Sequence, residues 1–383
     1  MPTHEHTQWR TLALMETRLA LDAETKPQLK TGTLVIARGE NTYVGRSDYG
    51  IEYEGAQVRS ILACFSGTRT CSEIAHELAC DLDNVTSLVA ELDALHFLDT
   101  QKSAIVLSDR YRAPGADAIS DSGLCDDNLD ATFQQIKSRI RPELSLTTWG
   151  PEVRDGGVSL MSARQDQPVL IYGNSRIAIL LYGILLSSGL SQTTLISDEP
   201  SRLIGDIDLC GGFLRLSDIG SSQNERITNI RPELSLFPLN CAGSKNPREI
   251  AISVGPPTPE LLQMWMSECI PHLFIEDPEC ASITIGPLVI PGRTPCWRCT
   301  ALTQDDEHIA WTEVQWQRRI APRHETPVSV AHHVAGLAAL ELLHFIDTGN
   351  SDLLGSTFRI NYLSAIDAKY RTFLHHPACG CRW

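Results

Sequence analysis

Two close pairs of cysteines carry the strongest chemical signal in the sequence. Cys296 and Cys299 form a C-x-x-C arrangement, and Cys379 and Cys381 form a C-x-C arrangement near the end of the chain. Each pair can occupy one edge of a tetrahedron, and four thiolates with no open position make a closed, structural zinc site. We therefore expect one structural zinc ion, which would attach the C-terminal segment to the rest of the fold and add to its stability.

The sequence also allows other interpretations of these cysteines. A C-x-x-C arrangement occurs in redox pairs, and the four thiols can instead be small buried side chains. His375 and His376 lie close enough in the chain to replace a sulfur ligand. The remaining eight of the twelve cysteines are scattered singly, which is typical of core residues.

A second candidate site is the loop Gly173-Asn174-Ser175-Arg176-Ile177-Ala178, which follows a short apolar run. In the dinucleotide-binding pattern G-x-G-x-x-G/A, the glycines let a phosphate approach the backbone and a helix N-terminus. Gly173 and Ala178 match the first and third positions, whereas Ser175 replaces the second glycine. Asp198 follows the next predicted strand, where a ribose-binding acid would lie, or it is an ordinary polar strand end. Because the loop is degenerate, we expect no ATP cofactor.

The elements around these residues alternate between strand and helix from Pro168 onward. Val169 to Tyr172 and Thr193 to Ile196 are strand-like runs, and Ile177 to Leu186 is a buried helix between them. Continuous apolar strands that alternate with helices are typical of a mostly parallel sheet covered on both faces. We therefore predict an α/β fold with a Rossmann-like domain over residues 151–383.

The N-terminal part has a different pattern. Three short β-like runs between residues 33 and 53 are separated by Gly, Asn and Asp, which is the composition of tight turns. Three helices follow, with Ser72 and Asp83 as the predicted caps of the second and third. A small meander followed by three helices predicts a winged helix-turn-helix domain over residues 20–100. A stretch rich in Ser, Asp and Gly then predicts a linker and connecting helix over residues 101–150.

Charge argues against nucleic acid as a partner. The chain of 383 residues carries 47 acidic and 32 basic residues, so its net charge of −15 would repel phosphates. The third N-terminal helix, which would enter the major groove of DNA, contains Asp83, Glu91 and Asp93 and no Lys or Arg. A helix that reads DNA needs the opposite charge. We therefore expect no nucleic-acid partner.

Hydrophobicity argues against a membrane protein. Hydrophobic residues make up 42% of the chain, as in ordinary globular proteins. The longest apolar run, Ile177 to Leu186, is too short to cross a bilayer. The N-terminus has acidic and polar residues where a secretory signal needs a basic start and an apolar stretch. We expect a cytoplasmic protein without a membrane partner.

Three motifs together point to one family. They are GPLVIPGRTPCWRC (Gly286 to Cys299), DDEHIAW (Asp305 to Trp311) and HHPACGC (His375 to Cys381). They resemble the ThiF-like, ubiquitin-activating-enzyme-related proteins of thiazole/oxazole-modified microcin (TOMM) clusters, known as TOMM precursor leader-peptide-binding or cyclodehydratase partner proteins. The N-terminal meander and helices are similar to the RiPP recognition element, a winged helix that binds ribosomally made precursor peptides.

This resemblance implies a non-catalytic partner protein in the biosynthesis of modified peptides such as bacteriocins and thiopeptides. Its winged helix would bind the leader of a precursor peptide. A separate YcaO-type cyclodehydratase would use ATP to convert Cys, Ser or Thr of the core peptide into azolines. The family pattern matches the zinc ligands at the four paired cysteines, with Trp297 where Leu is expected. Relatives commonly dimerise through the Rossmann-like domain, so a homodimer is a further expectation.

An enzyme is the alternative that the resemblance allows. Active ubiquitin-activating-type proteins adenylate a carboxylate with ATP, and they need an intact glycine loop and a strand that ends in an acidic residue. Here the loop has Ser175, and the corresponding strand ends in Ser253-Val254-Gly255-Pro256-Pro257. A clamp for three phosphates and a metal is therefore not recognisable. The alternative is an ATP-dependent ThiF-like enzyme that itself adenylates a carboxylate of the precursor peptide.

The expected route for leader binding is the addition of a strand. An open sheet edge accepts an extended peptide through backbone hydrogen bonds, and side-chain pockets give specificity. One face of the last N-terminal strand and one face of the third helix would line the groove with apolar residues: Tyr49, Ile51, Tyr53, Val85, Leu88 and Leu92. The alternative is that these side chains form the core of the small domain. The nearby acidic residues Glu52, Glu91 and Asp93 would attract a basic leader.

Overall fold

The computed structural model describes residues 22–101, 127–150, 153–197, 199–237, 249–279, 281–308, 313–314, 317 and 325–381. The described residues divide into two compact units. Of the described residues, those up to residue 101 and those within 137–161 belong to the first unit, and those within 127–136 and from residue 162 onward belong to the second.

The first unit combines short strands with three helices. In chain order, its elements up to residue 101 are β1 (Gln28–Leu29), β2 (Leu34–Arg38), β3 (Asn41–Gly45), β4 (Gly50–Tyr53), α1 (Ala56–Ala63), α2 (Cys71–Glu77), α3 (Leu82–Ala94) and β5 (Leu98–Asp99). Strands β2, β3 and β4 form an antiparallel meander, and β1 pairs with β5. The three meander strands and the three helices follow one another in the predicted order.

Helices α2 and α3 begin before the predicted caps. Thr70 is the N-cap of α2, because its Oγ1 accepts from the N–H of Glu73 at 3.1 Å and its own N–H donates to the Glu73 carboxylate at 2.8 Å. This reciprocal pair is a capping box. Asp81 caps α3 by accepting from the N–H of Asp83 at 3.2 Å. The prediction that Ser72 and Asp83 are the caps was therefore wrong by two residues in each case.

The residues that follow helix α4 (Asp127–Thr147) pack into the first unit around a buried lysine. Lys30 Nζ donates to the backbone oxygens of Thr148 and Val153 at 2.5 and 2.6 Å, and it lies 3.7 Å from the Asp99 carboxylate. Burial lowers the pKa of Lys30 and raises the pKa of Asp99, and the opposite charge of each partner counteracts the shift. A charged pair at this depth is tolerated because the carbonyl oxygens complete its hydrogen bonds.

The second unit contains the large sheet. After helix α5 (Val158–Arg164), the elements are β6 (Val169–Tyr172), α6 (Arg176–Ser187), β7 (Thr193–Ile196), α7 (Gln223–Leu234), β8 (Ile250–Val254), α8 (Pro259–Ser267), β9 (His272–Ile275), β10 (Ser282–Val289), α9 (Trp297–Glu307), α10 (Val328–Thr348), β11 (Ser356–Asn361) and β12 (Ser364–Thr372).

The seven strands of this sheet lie in the order β12-β11-β10-β9-β8-β6-β7. The pairs β9–β8, β8–β6 and β6–β7 are parallel. The pairs β9–β10, β10–β11 and β11–β12 are antiparallel. Only β10 and β12 therefore run against the other five strands, which confirms the predicted α/β fold with a mostly parallel sheet. Continuous burial along β8 and β9 explains why these strands have no alternating pattern in the sequence.

Among the described residues, one helix is long and apolar enough to cross a membrane. This helix is α10, with a mean hydropathy of 1.3. A core helix of a globular protein meets the same criterion. One face of α10 belongs to the main core and packs with α6: Ala331, Val334, Ala335, Ala338, Ala339, Leu342 and Leu343 are buried. The composition of α10 is therefore explained by packing within the second unit.

Candidate functional site

The four paired cysteines come together in the second unit. Their sulfur atoms all lie within 4.8 Å of one another, and all four side chains are buried. The Sγ–Sγ distances are 3.9 Å for Cys296–Cys299, 3.4 Å for Cys296–Cys379 and 3.4 Å for Cys299–Cys381. Four sulfurs at a Zn–S distance of about 2.3 Å form a tetrahedron with edges of about 3.8 Å. The donor set and its size therefore fit a metal ion such as zinc.

Local structure explains how the two thiols of each pair come close enough to bind one metal ion. Cys296 is the N-cap of α9 and Cys299 lies in the first turn, so both thiols lie at the start of this helix. Gly380 has a φ of 71°, a left-handed conformation that favours glycine, and it turns the chain between Cys379 and Cys381. The short segment after β12 carries the second pair to the start of α9.

Burial controls the protonation of the thiols. Burial raises the pKa of Cys296 far above its usual range and raises the pKa of Cys379 to about 11. For Cys299, burial is outweighed by hydrogen bonds, first from the backbone N–H of His376 at 3.4 Å, and its pKa is lowered. A bound dication would favour the thiolate form of every member of the cluster, because buried negative charge needs a positive partner.

The two neighbouring histidines have other contacts. His376 Nε2 donates to the Asp306 carboxylate at 2.9 Å, and Nδ1 accepts from the N–H of Ala378 at 3.1 Å. Both ring nitrogens of His376 are therefore engaged in holding the C-terminal segment against α9. His375 Nδ1 lies 3.6 Å from Cys381 Sγ, within hydrogen-bond distance of a sulfur acceptor. This arrangement favours four sulfur ligands over a mixed set.

The strand residues of the predicted peptide groove lie near the surface of the first unit. Tyr49 is 50% exposed, and its ring stacks on Phe97 with 5.9 Å between the centroids. Ile51 and Tyr53 are half-buried. Beyond β4 the meander has no further strand among the residues described, so this edge of the sheet is unpaired.

The helix residues of the predicted groove lie deeper. Val85 and Leu92 have no exposed surface and Leu88 is 6% exposed. Val85 and Leu92 are therefore part of the core, as in the alternative interpretation, and they support the groove from behind. Leu88 reaches a surface cavity.

This cavity lies between β4, α1 and α3 and has a volume of about 250 Å³. Its apolar lining consists of Tyr53, Val58, Ile61 and Leu88. Its polar lining consists of Gln57, Asn84, Ser87 and Glu91. Burial and the adjacent Glu91 carboxylate raise the pKa of Tyr53, so the phenol stays protonated. The cavity is therefore apolar at its base and acidic at one side.

The glycine loop of the second unit has a packing explanation. A Cβ on Gly173 would lie 2.7 Å from the carbonyl oxygen of Val254 in the neighbouring strand, so close strand packing requires glycine there. Ala178 is completely buried in the core. Ser175 is the N-cap of α6, but its hydroxyl makes no hydrogen bond within the part of the chain that the structure describes. Asp198 lies outside the described residues.

Two residues, one in this loop and one near it, have roles in the structure that the sequence analysis did not predict. Arg176 donates to the backbone oxygens of Ile207 and, at 2.8 Å, of Thr326, so it links two loops. Asp277 follows β9 and lies against the end of β8, where a Cβ on Gly255 would be 3.2 Å from its carboxylate. The carboxyl ends of parallel strands are where nucleotides bind in such sheets. The signal available in the sequence for this residue was its position, because Asp277 is an acid two residues after the apolar strand β9.

No family model matches the sequence, and neither does any curated protein. Solved structures do match. The crystal structure of E. coli MccB with MccA-N7isoASN is 14% identical in sequence, with a TM-score of 0.63, over 93% of this chain and 99% of that chain. The microcin C7 biosynthetic enzyme MccB in complex with N-formylated MccA is 15% identical, with a TM-score of 0.62, over the same shares. The chain shares its fold with MccB.

The heterocyclase TruD is a second kind of structural neighbour. It is 14% identical in sequence with a TM-score of 0.52, and the match covers 93% of this chain but 42% of the TruD chain. The likeness to MccB and TruD extends over nearly the whole chain, so it includes described residues of both units. It agrees with the ThiF-like fold that the cysteine motifs indicated.

Proposed function

We propose that this protein binds the leader of a ribosomally synthesised precursor peptide and presents it to a separate YcaO-type cyclodehydratase, which forms azolines from Cys, Ser or Thr. The first unit would be a winged-helix RiPP recognition element. The observation that carries the proposal is the unpaired edge of β4 beside the cavity lined by α1 and α3. An extended peptide can add to such an edge.

The hydrogen-bond pattern of the meander supports strand addition. The N–H of Arg46 donates to the oxygen of Tyr49 at 2.7 Å, and antiparallel pairs alternate between bonded and non-bonded from there. Ile51 and Tyr53 therefore bond inward to β3. The backbone groups of Gly50 and Glu52 point outward and are available to a fourth strand.

The structural neighbours support a role in peptide modification. MccB is a microcin C7 biosynthetic enzyme solved with MccA, and TruD is a heterocyclase. The structural zinc proposed for the second unit fits this role, because Cys296, Cys299, Cys379 and Cys381 leave no open position for a substrate. The zinc would supply structural cohesion, and the chemistry would belong to the partner enzyme.

A proline substitution at the outward-facing position tests the proposal. Glu52→Pro removes an outward N–H and keeps the inward bonds, whereas Glu52→Ala removes the same side chain and keeps the N–H. We expect Glu52→Pro to weaken binding of a fluorescein-labelled leader peptide about tenfold, and Glu52→Ala to bind like the unmodified protein. Fluorescence anisotropy measures both, and circular dichroism checks that each variant is folded. Equal binding by the two variants would contradict strand addition.

A second candidate function is ATP-dependent adenylation of a precursor-peptide carboxylate. It is favoured by Asp277 at the carboxyl end of the parallel strands and by the fold shared with MccB, which has been solved with ATP at 15% identity and a TM-score of 0.60. Peptide-dependent exchange of pyrophosphate into ATP separates the candidates. The partner protein should show none and should instead increase azoline formation by the cyclodehydratase, measured by mass spectrometry as loss of water.

A further inference from the structure

The three acidic residues near the groove, Glu52, Glu91 and Asp93, have different surroundings in the structure. Asp93 is buried, and its carboxylate pairs with Arg154 at 2.8 Å. Glu52 points to the opposite face of β4 from Tyr53, and its carboxylate lies 3.6 Å from Arg38. Glu91 lines the cavity and makes no ion pair with a basic side chain of the described residues. Glu91 is therefore the acid that a ligand in the cavity can use.

The position of the cavity relative to β4 defines which ligand residue would enter it. In an added strand, the residue opposite Tyr53 has its side chain on the same face as Tyr53, with Cβ atoms about 5 Å apart. Tyr53 forms one wall of the cavity. One side chain of a bound strand is therefore directed into the cavity, whereas its two neighbours in that strand point away.

The lining has two chemical zones. Ile61 is 3% exposed and Leu88 is 6% exposed, so the base is apolar. Glu91 is exposed at the mouth, so this side of the cavity is polar and acidic. A side chain with an aliphatic stem and a cationic end matches both zones, because such side chains bury the stem and keep the charge in water. A purely aliphatic side chain would offer the Glu91 carboxylate no cationic partner beside the neighbouring Tyr53 phenol.

We propose that this cavity is a specificity pocket for one lysine or arginine side chain of the leader, with Glu91 as the acceptor of its charged end. The inference rests on the proposed function and names the class of residue that the groove selects. The charge of the whole chain, −15, favours approach of a basic peptide in general, but only Glu91 makes that preference specific to one position of the peptide.

Peptide selection with charge reversal tests the pocket. Random twelve-residue peptides displayed on their mRNA are selected on the immobilised full chain after counterselection on Glu52→Pro, which removes peptides that bind elsewhere. We expect the recovered peptides to share Lys or Arg at one fixed position. Selection on Glu91→Lys should recover Asp or Glu at that position, and selection on the matched charge reversal Glu77→Lys, at an exposed acid of α2 that does not line the cavity, should recover the original preference.

Affinities of one recovered peptide give the second measurement. Glu91→Gln should weaken binding about fivefold, as for one partly exposed ion pair, and the peptide with its Lys changed to Glu should bind Glu91→Lys better than it binds the unmodified protein. Two results would overturn the pocket and leave the proposed function standing. One is the recovery of edge-binding peptides without a basic residue at a fixed position. The other is the same positional preference after selection on Glu91→Lys as after selection on the unmodified protein. If no peptide distinguishes the full chain from Glu52→Pro, the proposed function and the pocket are both overturned.

Discussion

His272 is a fully buried histidine in the strand next to β8, and its surroundings keep it neutral. Its Nδ1 lies 2.8 Å from the carbonyl oxygen of Ile270, so this nitrogen carries the proton. Its Nε2 has no hydrogen-bond partner among the described residues, and the ring packs beside Trp265 with 5.3 Å between the centroids. A second proton on Nε2 would place an unpaired charge in an apolar interior.

This environment predicts that the protein loses stability in mild acid. Burial lowers the pKa of His272 from its ordinary 6.5 to about 4. Between these values the unfolded chain takes up a proton that the folded chain does not, so the free energy of unfolding falls as pH decreases below 6.5. The full effect is about 3 kcal/mol.

Urea unfolding at pH 7.5 and pH 5 measures this loss. In His272→Asn, the amide can donate to the same carbonyl but cannot gain a charge, so the difference between the two pH values should shrink. An unchanged difference would show that other groups cause the acid sensitivity.

At the scale of elements, the start of α2 shows how one side chain determines a helix boundary. Thr70 and Glu73 satisfy each other's backbone N–H groups, whereas Ser72 is exposed inside the helix. We predict that Thr70→Ala lowers the free energy of unfolding by about 1 kcal/mol. Ser72→Ala is the matched control and should change it by less than about 0.5 kcal/mol. Chemical denaturation followed by circular dichroism measures both, and equal losses would refute the cap assignment.

The first unit also shows what element patterns leave undecided. Period-two alternation groups Ile51 and Tyr53 on one face of β4, because strand geometry alone produces that period, whereas Tyr49 lies just before the strand. The same reasoning treats Glu91 and Asp93 as equivalent acids of one helix. They differ because Arg154, from a segment within the first unit that is remote in sequence, reaches Asp93 and leaves Glu91 at the cavity.

At the scale of the whole chain, the cysteine cluster joins segments that are 83 and 82 residues apart. Closing loops of this length costs chain entropy, and the binding free energy of a metal can offset that cost. We predict one zinc ion per chain by elemental analysis. We also predict that chelation lowers the thermal midpoint and speeds hydrogen exchange in α9 and β12.

Cys379→Ser tests the cluster directly. Three sulfurs leave the tetrahedron incomplete, so bound zinc should fall well below one ion per chain. Cys269 is exposed and outside the cluster, which makes Cys269→Ser the control that should retain zinc. Unchanged zinc in Cys379→Ser, or none in the unmodified protein, would contradict the site.

Local features of the sequence are enough to predict much of this protein: two closely spaced cysteine pairs, the order of strands and helices, and a third helix without basic residues. These features depend on spacing within a few residues, and backbone geometry translates such spacing into structure. Which segments meet depends on tertiary packing. It brought the two cysteine pairs together, assigned Gly173 to strand packing against Val254, and placed Asp277 at the end of β8. These outcomes depend on contacts between segments that are remote in sequence, and local periodicity carries no information about such contacts.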